Sequence, residues 1–136
     1  MAGNLSTYLE EELLDHVLLN AAYSSPAAVY AGLVSSSGND TEMEAGTLTN
    51  EITDYTGDRK AITFDAISQS GGKSITANAG ALTFASMPAC TVAYVIVCDA
   101  ATAGHILIWC PLAENKTYSA GDTCTISIGD LDISLD

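Results

Sequence analysis

Apolar and polar residues alternate at the end of the chain, and this alternation constrains the fold more than any other feature. The alternating apolar residues, three on each side of a Gly129-Asp130 pair, are Cys124, Ile126, Ile128, Leu131, Ile133 and Leu135. A two-residue Gly-X turn predicts a hairpin in which position 128 lies opposite 131, 126 opposite 133 and 124 opposite 135. Every apolar side chain then lies on one face, whereas a one-residue slip would destroy this sorting.

Other segments have the pattern of short β-strands separated by turns. The predicted strands are 27–34, 60–67, 82–84, 91–98 and 105–112, with polar turns at 68–73 and 115–122. Because 91–98 is almost entirely apolar, it is predicted to be a central strand that is buried on both faces. Six to eight short strands in 136 residues predict one mainly β domain, an antiparallel β-sandwich or flattened barrel with one N-terminal helix.

Residues 7–20 form the one segment with clear helical spacing. Thr7 and Glu10 match a capping box, and acidic residues follow in the first turn. The apolar residues of this segment that recur at helical spacing are Leu9, Leu13, Leu14, Val17 and Leu18. Their stripe is predicted either to cover the β-core or to pack on a neighbouring subunit.

The segment 35–58 is rich in small polar and acidic residues and predicts a long acidic loop or arm, ahead of a β-rich core at 60–136. Loops of this length in compact domains are usually functional or mobile. Tyr55 lies in this segment, and few apolar residues nearby in sequence are available to bury it. The candidate partner-binding residues, taken from the helix, the loop and its end, are Leu9, Leu13, Val17, Glu42, Glu44, Tyr55 and Arg59.

The chain is strongly acidic, with 17 acidic and four basic residues, and ten of the acids precede Arg59, the first base. Nucleic-acid binding needs cations that displace counterions from phosphate, so no nucleic-acid partner is expected. An anionic membrane is disfavoured for the same reason, and no apolar run reaches the roughly 20 residues of a membrane span. The start lacks the pattern of a secretory signal, so folding in a cytoplasm is expected. A basic partner surface suits this charge.

The reactive residues lack the motifs of a catalytic or metal site. His16 and His105 have no nucleophile motif nearby, and the four cysteines contain no C-x-x-C pair. The cysteines at 98, 110 and 124 lie in apolar strand patterns and predict small buried hydrophobes in a reducing compartment. Asp130, Asp132 and Asp136 are weaker candidates for calcium ligands. No enzymatic activity, cofactor or metal is therefore expected.

Several segments together resemble a known protein family. They are 13–18, 26–33, 99–104, 121–123 and 129–136. In these segments the chain resembles small virion structural proteins of tailed bacteriophages, which are described as tail-fibre or minor structural proteins. Some similar proteins resemble capsid decoration or cement subunits. The chain departs from the family pattern at Ala103, where a second turn glycine is expected.

The resemblance implies a role in the virion, after synthesis in the host cytoplasm. The main expectation is a non-enzymatic capsid decoration protein that binds the outer shell and stabilises junctions between subunits. Its partners would be the major capsid protein and itself, as a homodimer or homotrimer. The alternative is a tail or tail-fibre component that contacts the host surface. A third hypothesis, a carbohydrate hydrolase, would use Asp130 and Asp132 as its acid and base.

Overall fold

A computed structural model describes residues 3–135 of the chain, in which eleven strands and two helices follow one another. The strands are β1 (Asn4–Leu5), β2 (Val29–Ser35), β3 (Glu51–Ile52), β4 (Lys60–Ile62), β5 (Ser68–Ser70), β6 (Lys73–Ala77), β7 (Leu82–Phe84), β8 (Cys90–Cys98), β9 (Ile106–Tyr118), β10 (Cys124–Ile126) and β11 (Asp132–Leu135). The helices are α1 (Thr7–Leu18) and α2 (Asp40–Glu44). The sequence predicted only six to eight strands, because strands of two or three residues are too short to show a recognisable alternation of apolar and polar residues.

The largest sheet has the order β1-β9-β8-β2-β3, and β4 also pairs with β2. All of its pairs are antiparallel. β8 lies at its centre, between β9 and β2, and its residues alternate between two hydrophobic clusters. Val95 and Val97 belong to one cluster, and Ile96 and Cys98 to the other. The prediction of a central strand buried on both faces is confirmed.

The two clusters lie on opposite faces of this sheet. The larger one packs the sheet against β7 and β10 and includes Leu33, Phe84 and Ile126. The smaller one includes Trp109 and is covered by α2 through the fully buried Met43. Two smaller antiparallel sheets, β10-β7 and β11-β6-β5, complete the described residues without a closed barrel. A mainly β sandwich with one long N-terminal helix is therefore confirmed.

The predicted C-terminal hairpin is wrong. β10 pairs with β7, so that Cys124 lies opposite Phe84, and β11 pairs with β6. The alternation correctly marks buried positions, because Leu131 and Ile133 are buried like Cys124. Ile128, next to the turn in the predicted register, and Leu135, at its far end, are exposed instead. The strands on the two sides of the turn thus belong to separate sheets, although Cys124, Ile126 and Leu131 join the same hydrophobic cluster.

A buried asparagine explains why the two strands part. The Asn78 side chain, fully buried, donates to the Ser127 carbonyl at 2.8 Å and accepts from the Leu131 amide at 2.9 Å. The Asn78 backbone adds two hydrogen bonds, to Gly129 and Leu131. These bonds occupy turn groups near the start of the expected hairpin ladder. Buried polar backbone groups require such partners, and Asn78 provides them from a distant part of the chain.

The element boundaries differ from the predictions in several places. α1 ends at Leu18, and its N-cap is Ser6, which accepts from the Leu9 amide at 3.3 Å, rather than Thr7. The segment 35–58 contains α2 and β3 and is folded against the main sheet. β4 ends at Ile62, within the predicted strand 60–67. The predicted turns at 68–73 and 115–122 are partly strand, because β5 and β6 form a hairpin and β9 continues to Tyr118.

Candidate functional site

The most unusual surface is the solvent side of α1, where large apolar residues are exposed. We call it the outer face of α1. Its residues and exposed fractions are Leu13 (36%), Leu14 (58%), Val17 (72%), Leu18 (70%) and, at the C-cap, Leu19 (74%). No residue of α1 is buried in the subunit. A contiguous exposed apolar patch marks an interaction surface more often than single exposed apolar residues do.

The start of α1 attaches it to the main sheet. β1 pairs with β9, and the Ser6 amide donates to the Leu107 carbonyl at 3.0 Å. The Ser6 hydroxyl, fully buried, donates to the Ile106 carbonyl while it caps the helix. Tyr8 and Leu9 are half-buried on the side toward the sheet. Because these attachments are at its first turn, the rest of the helix presents the outer face to solvent.

The exit from α1 is closed by local hydrogen bonds. Asn20 has a φ of 58°, the left-handed conformation that commonly ends helices. The Ala21 amide donates to the Asp15 carbonyl at 3.1 Å. The His16 Nδ1 atom lies 3.0 Å from the Ala21 carbonyl oxygen and 3.3 Å from the Tyr23 amide nitrogen. His16 thus takes part in the turn that follows the helix.

A cluster of polar and aromatic side chains beside α1 was not predicted. Tyr8 stacks on His105 with ring centroids 4.0 Å apart, and Asp99 binds the His105 ring at 3.0 Å and its amide at 2.7 Å. Partial burial raises the pKa of the Asp99 carboxyl, but these hydrogen bonds outweigh it and lower the pKa overall. Burial and nearby carboxylates raise the pKa of Tyr8 and of Tyr23. Because Tyr8 is far from Asp99 and His105 in sequence, no local sequence pattern could have predicted this cluster.

The two predicted glutamates of the 35–58 segment are half-buried and hydrogen-bonded. Glu42 accepts from the Asn50 side chain at 3.0 Å. Glu44 accepts from the Trp109 indole at 3.1 Å and from the Thr7 hydroxyl at 3.4 Å. Glu44 therefore links α2 to the main sheet and to the start of α1. Glu44 thus helps hold the segment against the body of the subunit, whereas the Glu42 hydrogen bond lies within the segment.

Tyr55 is buried, although few apolar residues near it in sequence were expected to cover it within the subunit. It is 5% exposed, and its ring meets Phe84 edge-on at 5.0 Å. Phe84 lies in β7, far along the chain, and therefore gave no sequence signal near Tyr55. Burial raises the pKa of Tyr55 to about 12. Its side chain is part of the core rather than of the surface that a partner would meet.

Arg59 is also buried, with 6% of its surface exposed. It forms a two-pronged ion pair with Glu51, at 2.5 and 2.7 Å. It also donates to the carbonyls of Ala100 and Ala103, at 2.9 and 2.6 Å. Gly32 makes room for this pair, because a Cβ there would lie 2.9 Å from a Glu51 oxygen. The predicted contact residue Arg59 is thus a structural cross-link between two segments.

The four thiols of the described residues are unpaired, and three of them are buried. Burial raises the pKa of Cys98 to about 12 and that of Cys110 to about 11. Both thiols are therefore protonated at neutral pH, which makes them poor nucleophiles. The sequence-based interpretation of Cys98, Cys110 and Cys124 as buried apolar residues agrees with their burial.

An apolar cleft of about 430 Å³ lies between the main sheet and β10. Its apolar walls include Val92, Leu112 and Ile126, while Lys116 and Asp130 line it with charged groups.

The described residues contain no candidate metal site and no membrane-spanning helix. Residue Asp136, a proposed calcium ligand, lies outside the described residues. Within 3–135, no three His, Cys, Asp or Glu side chains are placed to hold a metal ion. Neither helix in this range is long and apolar enough to cross a bilayer.

Comparison with known families identifies the kind of protein. Residues 4–134 match the family described as Podophage GP4 fiber I protein gp80. A search of curated proteins found no match. The family match covers nearly the whole chain, so the chain belongs to this family. The expected resemblance to tailed-phage virion proteins is confirmed, and the protein is a structural component of a bacteriophage particle.

Proposed function

We propose that this phage structural protein is a non-enzymatic component of the tail fibre and contributes to contact with the host surface. The observation that carries the proposal is the family match over 4–134, because the description names a fibre protein. The tail-fibre alternative is thereby supported better than the capsid decoration protein that was the main expectation from sequence. Its position in the fibre, its partners and its lack of catalysis belong to this proposal.

The arrangement of the subunit is compatible with a mechanical role. A main sheet with a hydrophobic cluster on each face makes a cohesive body, and the outer face of α1 extends from it. A fibre subunit needs both features, since it must withstand load and must join to other chains. His105 is bound to Asp99 and stacked on Tyr8, which supports a structural role for this histidine.

The capsid decoration hypothesis uses the same body but a different partner. It was motivated by the lack of catalytic motifs, the β-core and the long loop, and the acidic surface, with a net charge of −13, was an added argument because it suits many copies standing on a shell. Charge of this size also suits any crowded assembly, so it does not separate the two locations. The predicted major capsid protein partner and the predicted homodimer or homotrimer stay predictions.

The location in the particle tests the proposal directly. We would raise antibodies to the purified chain, label intact particles with gold, and measure copy number by quantitative mass spectrometry. The proposal expects label at the tail and a handful of copies per particle. Hundreds of copies distributed over the shell would instead support capsid decoration and refute the fibre assignment.

Host contact is tested by adsorption. We expect the same antibodies to slow the adsorption of phage to host cells, whereas antibodies to a capsid protein serve as the control. If adsorption stays unchanged when the antibodies saturate the fibres, the protein does not contact the host, although it can still be located in the fibre.

Carbohydrate cleavage is tested separately by incubating the purified chain with host surface polysaccharide. Release of reducing ends that is lost in Asp132→Asn would contradict the non-enzymatic proposal.

A further inference from the structure

We propose that the outer face of α1 docks into an apolar groove with a basic rim on another protein of the particle. This inference rests on the proposed function, since it names the chemistry of the partner to which a fibre subunit is joined. It starts from the orientation of α1. Helices on globular proteins normally turn their apolar side to the core, whereas most large apolar residues of α1, namely Leu13, Leu14, Val17 and Leu18, are exposed and its half-buried apolar residues lie in the first turn.

The exposed side chains form one continuous stripe. At about 100° per residue, the positions 13, 14, 17 and 18 span a face of about 140° on the helix. Leu19, at the C-cap, is also exposed but lies about 100° further around the helix axis, outside this stripe. Docking of an amphipathic helix into a groove uses anchors at this spacing. The stripe is therefore matched to a concave apolar surface.

The border of the stripe is acidic and selects the charge of the partner. Glu10 adjoins its start, and Glu11 and Asp15 lie along one edge of it, all three at the surface. No basic residue occurs in the sequence before Arg59. A groove bordered by lysine or arginine would pair with these carboxylates, and such complementarity selects partners and speeds association.

The α1 helix of a second copy is a poor match for the same face. Two copies would bring their acidic helices together, and each chain has a net charge of −13. Arg59 is committed to Glu51 in the interior, and Lys60 donates to the Thr56 carbonyl and lies over the Tyr55 ring. Like charges brought close together disfavour an interface. The charge pattern thus favours a different protein over self-association at α1.

The apolar part of the proposal is tested with particles that lack this protein. Purified wild-type chain is incubated with them, and bound protein is measured by co-sedimentation. The test variant is Leu14→Gln/Val17→Gln/Leu18→Gln, which keeps helix-forming residues in α1. The matched control, Ile67→Gln/Ile128→Gln/Leu135→Gln, changes three exposed apolar residues elsewhere. We expect binding to be at least tenfold weaker for the test variant and within twofold of wild type for the control.

The charge part of the proposal is tested by neutralisation and salt. The variant Glu10→Gln/Glu11→Gln/Asp15→Asn is compared with Asp54→Asn/Asp65→Asn/Glu114→Gln, which removes three exposed charges outside α1. We expect the α1 variant to bind several-fold more weakly at low salt and to lose much of the salt dependence, because fewer ion pairs form. The control should keep the salt dependence of wild type. Circular dichroism verifies that both variants are folded.

Several results would overturn the inference. Wild-type chain that does not bind the particles, or a test variant that binds as well as its control, would each overturn it. Wild-type oligomers that the leucine variant dissociates would assign the face to a second copy instead. Binding to phosphatidylcholine–phosphatidylglycerol vesicles that is lost in the same variant would assign it to lipid. Failure of the fibre assignment is distinguishable from failure of this inference. It would appear as gold label on the shell, independently of how strongly the α1 variants bind.

Discussion

The surroundings of Arg59 and the outer face of α1 reverse the usual relation between residue type and burial. Arg59 carries a charge and is 6% exposed, whereas Leu18 is apolar and 70% exposed. The difference lies in the partners that the fold supplies. Arg59 donates four hydrogen bonds to a carboxylate and two carbonyls, while Leu14 and Leu18 of α1 stay largely uncovered within the described residues. Burial therefore follows available partners as well as polarity.

Removal of the Arg59 charge is expected to lower the stability of the fold more than the other substitutions below. Arg59→Met leaves Glu51 buried without its cation and two carbonyls without their donor. We expect a loss of about 3–5 kcal/mol in the free energy of unfolding, as for other broken buried ion pairs. Urea unfolding measures it, with exposed Lys116→Met as the control. A loss below about 1 kcal/mol would show that Arg59 is not a structural cross-link, since surface substitutions usually change stability by about 0.5 kcal/mol or less.

Asn78, which is buried but uncharged, is expected to contribute less to stability than Arg59. Asn78→Ala removes the hydrogen bonds to Ser127 and Leu131 and leaves the turn groups without these partners. We expect a loss of about 2–3 kcal/mol, because unsatisfied buried groups carry a desolvation cost. Chemical denaturation with exposed Asn115→Ala as the control measures it. Equal stabilities of the two variants would contradict the role of Asn78 in separating β10 from β11.

Ala103, whose carbonyl accepts a hydrogen bond from Arg59, has a strained backbone conformation. Ala103 has a φ of 52°, in the left-handed region that favours glycine. The sequence resemblance indeed predicts glycine here. We expect Ala103→Gly to stabilise the fold by about 0.5–1 kcal/mol, since the relieved strain exceeds the added entropy of the unfolded chain. Thermal unfolding would detect the gain, and a lower melting temperature would argue against strain at this position.

The smallest stability effect is expected at α1 itself. Leu14→Gln/Val17→Gln/Leu18→Gln removes three large apolar side chains that are already exposed, so we expect a change of roughly 0.5 kcal/mol or less. Leu33→Ala in the core, by contrast, should cost about 2–5 kcal/mol. Urea unfolding of both variants measures the contrast. A large loss for the α1 variant would mean that the helix contributes to folding rather than to docking.

The sequence predicted the sheet core better than the surface. The apolar run 91–98 correctly indicated the buried central strand, because a strand covered on both faces needs apolar residues at every position. The outer face of α1 was predicted as a stripe, but its direction was not, since periodicity places residues on one face without saying what that face meets. The burial of Tyr55 and Arg59 depended on Phe84 and on the 99–104 loop, which lie far away in sequence.

The period of burial along each segment, the lack of basic residues before Arg59 and the family of the chain could all be recognised from the sequence. Which strands pair could not, because the separation of β10 and β11 depends on hydrogen bonds from the distant Asn78. Alternation of side chains is a local property of an extended backbone. Strand pairing depends instead on hydrogen bonds between residues distant in sequence, and these form only where the whole chain satisfies its buried polar groups.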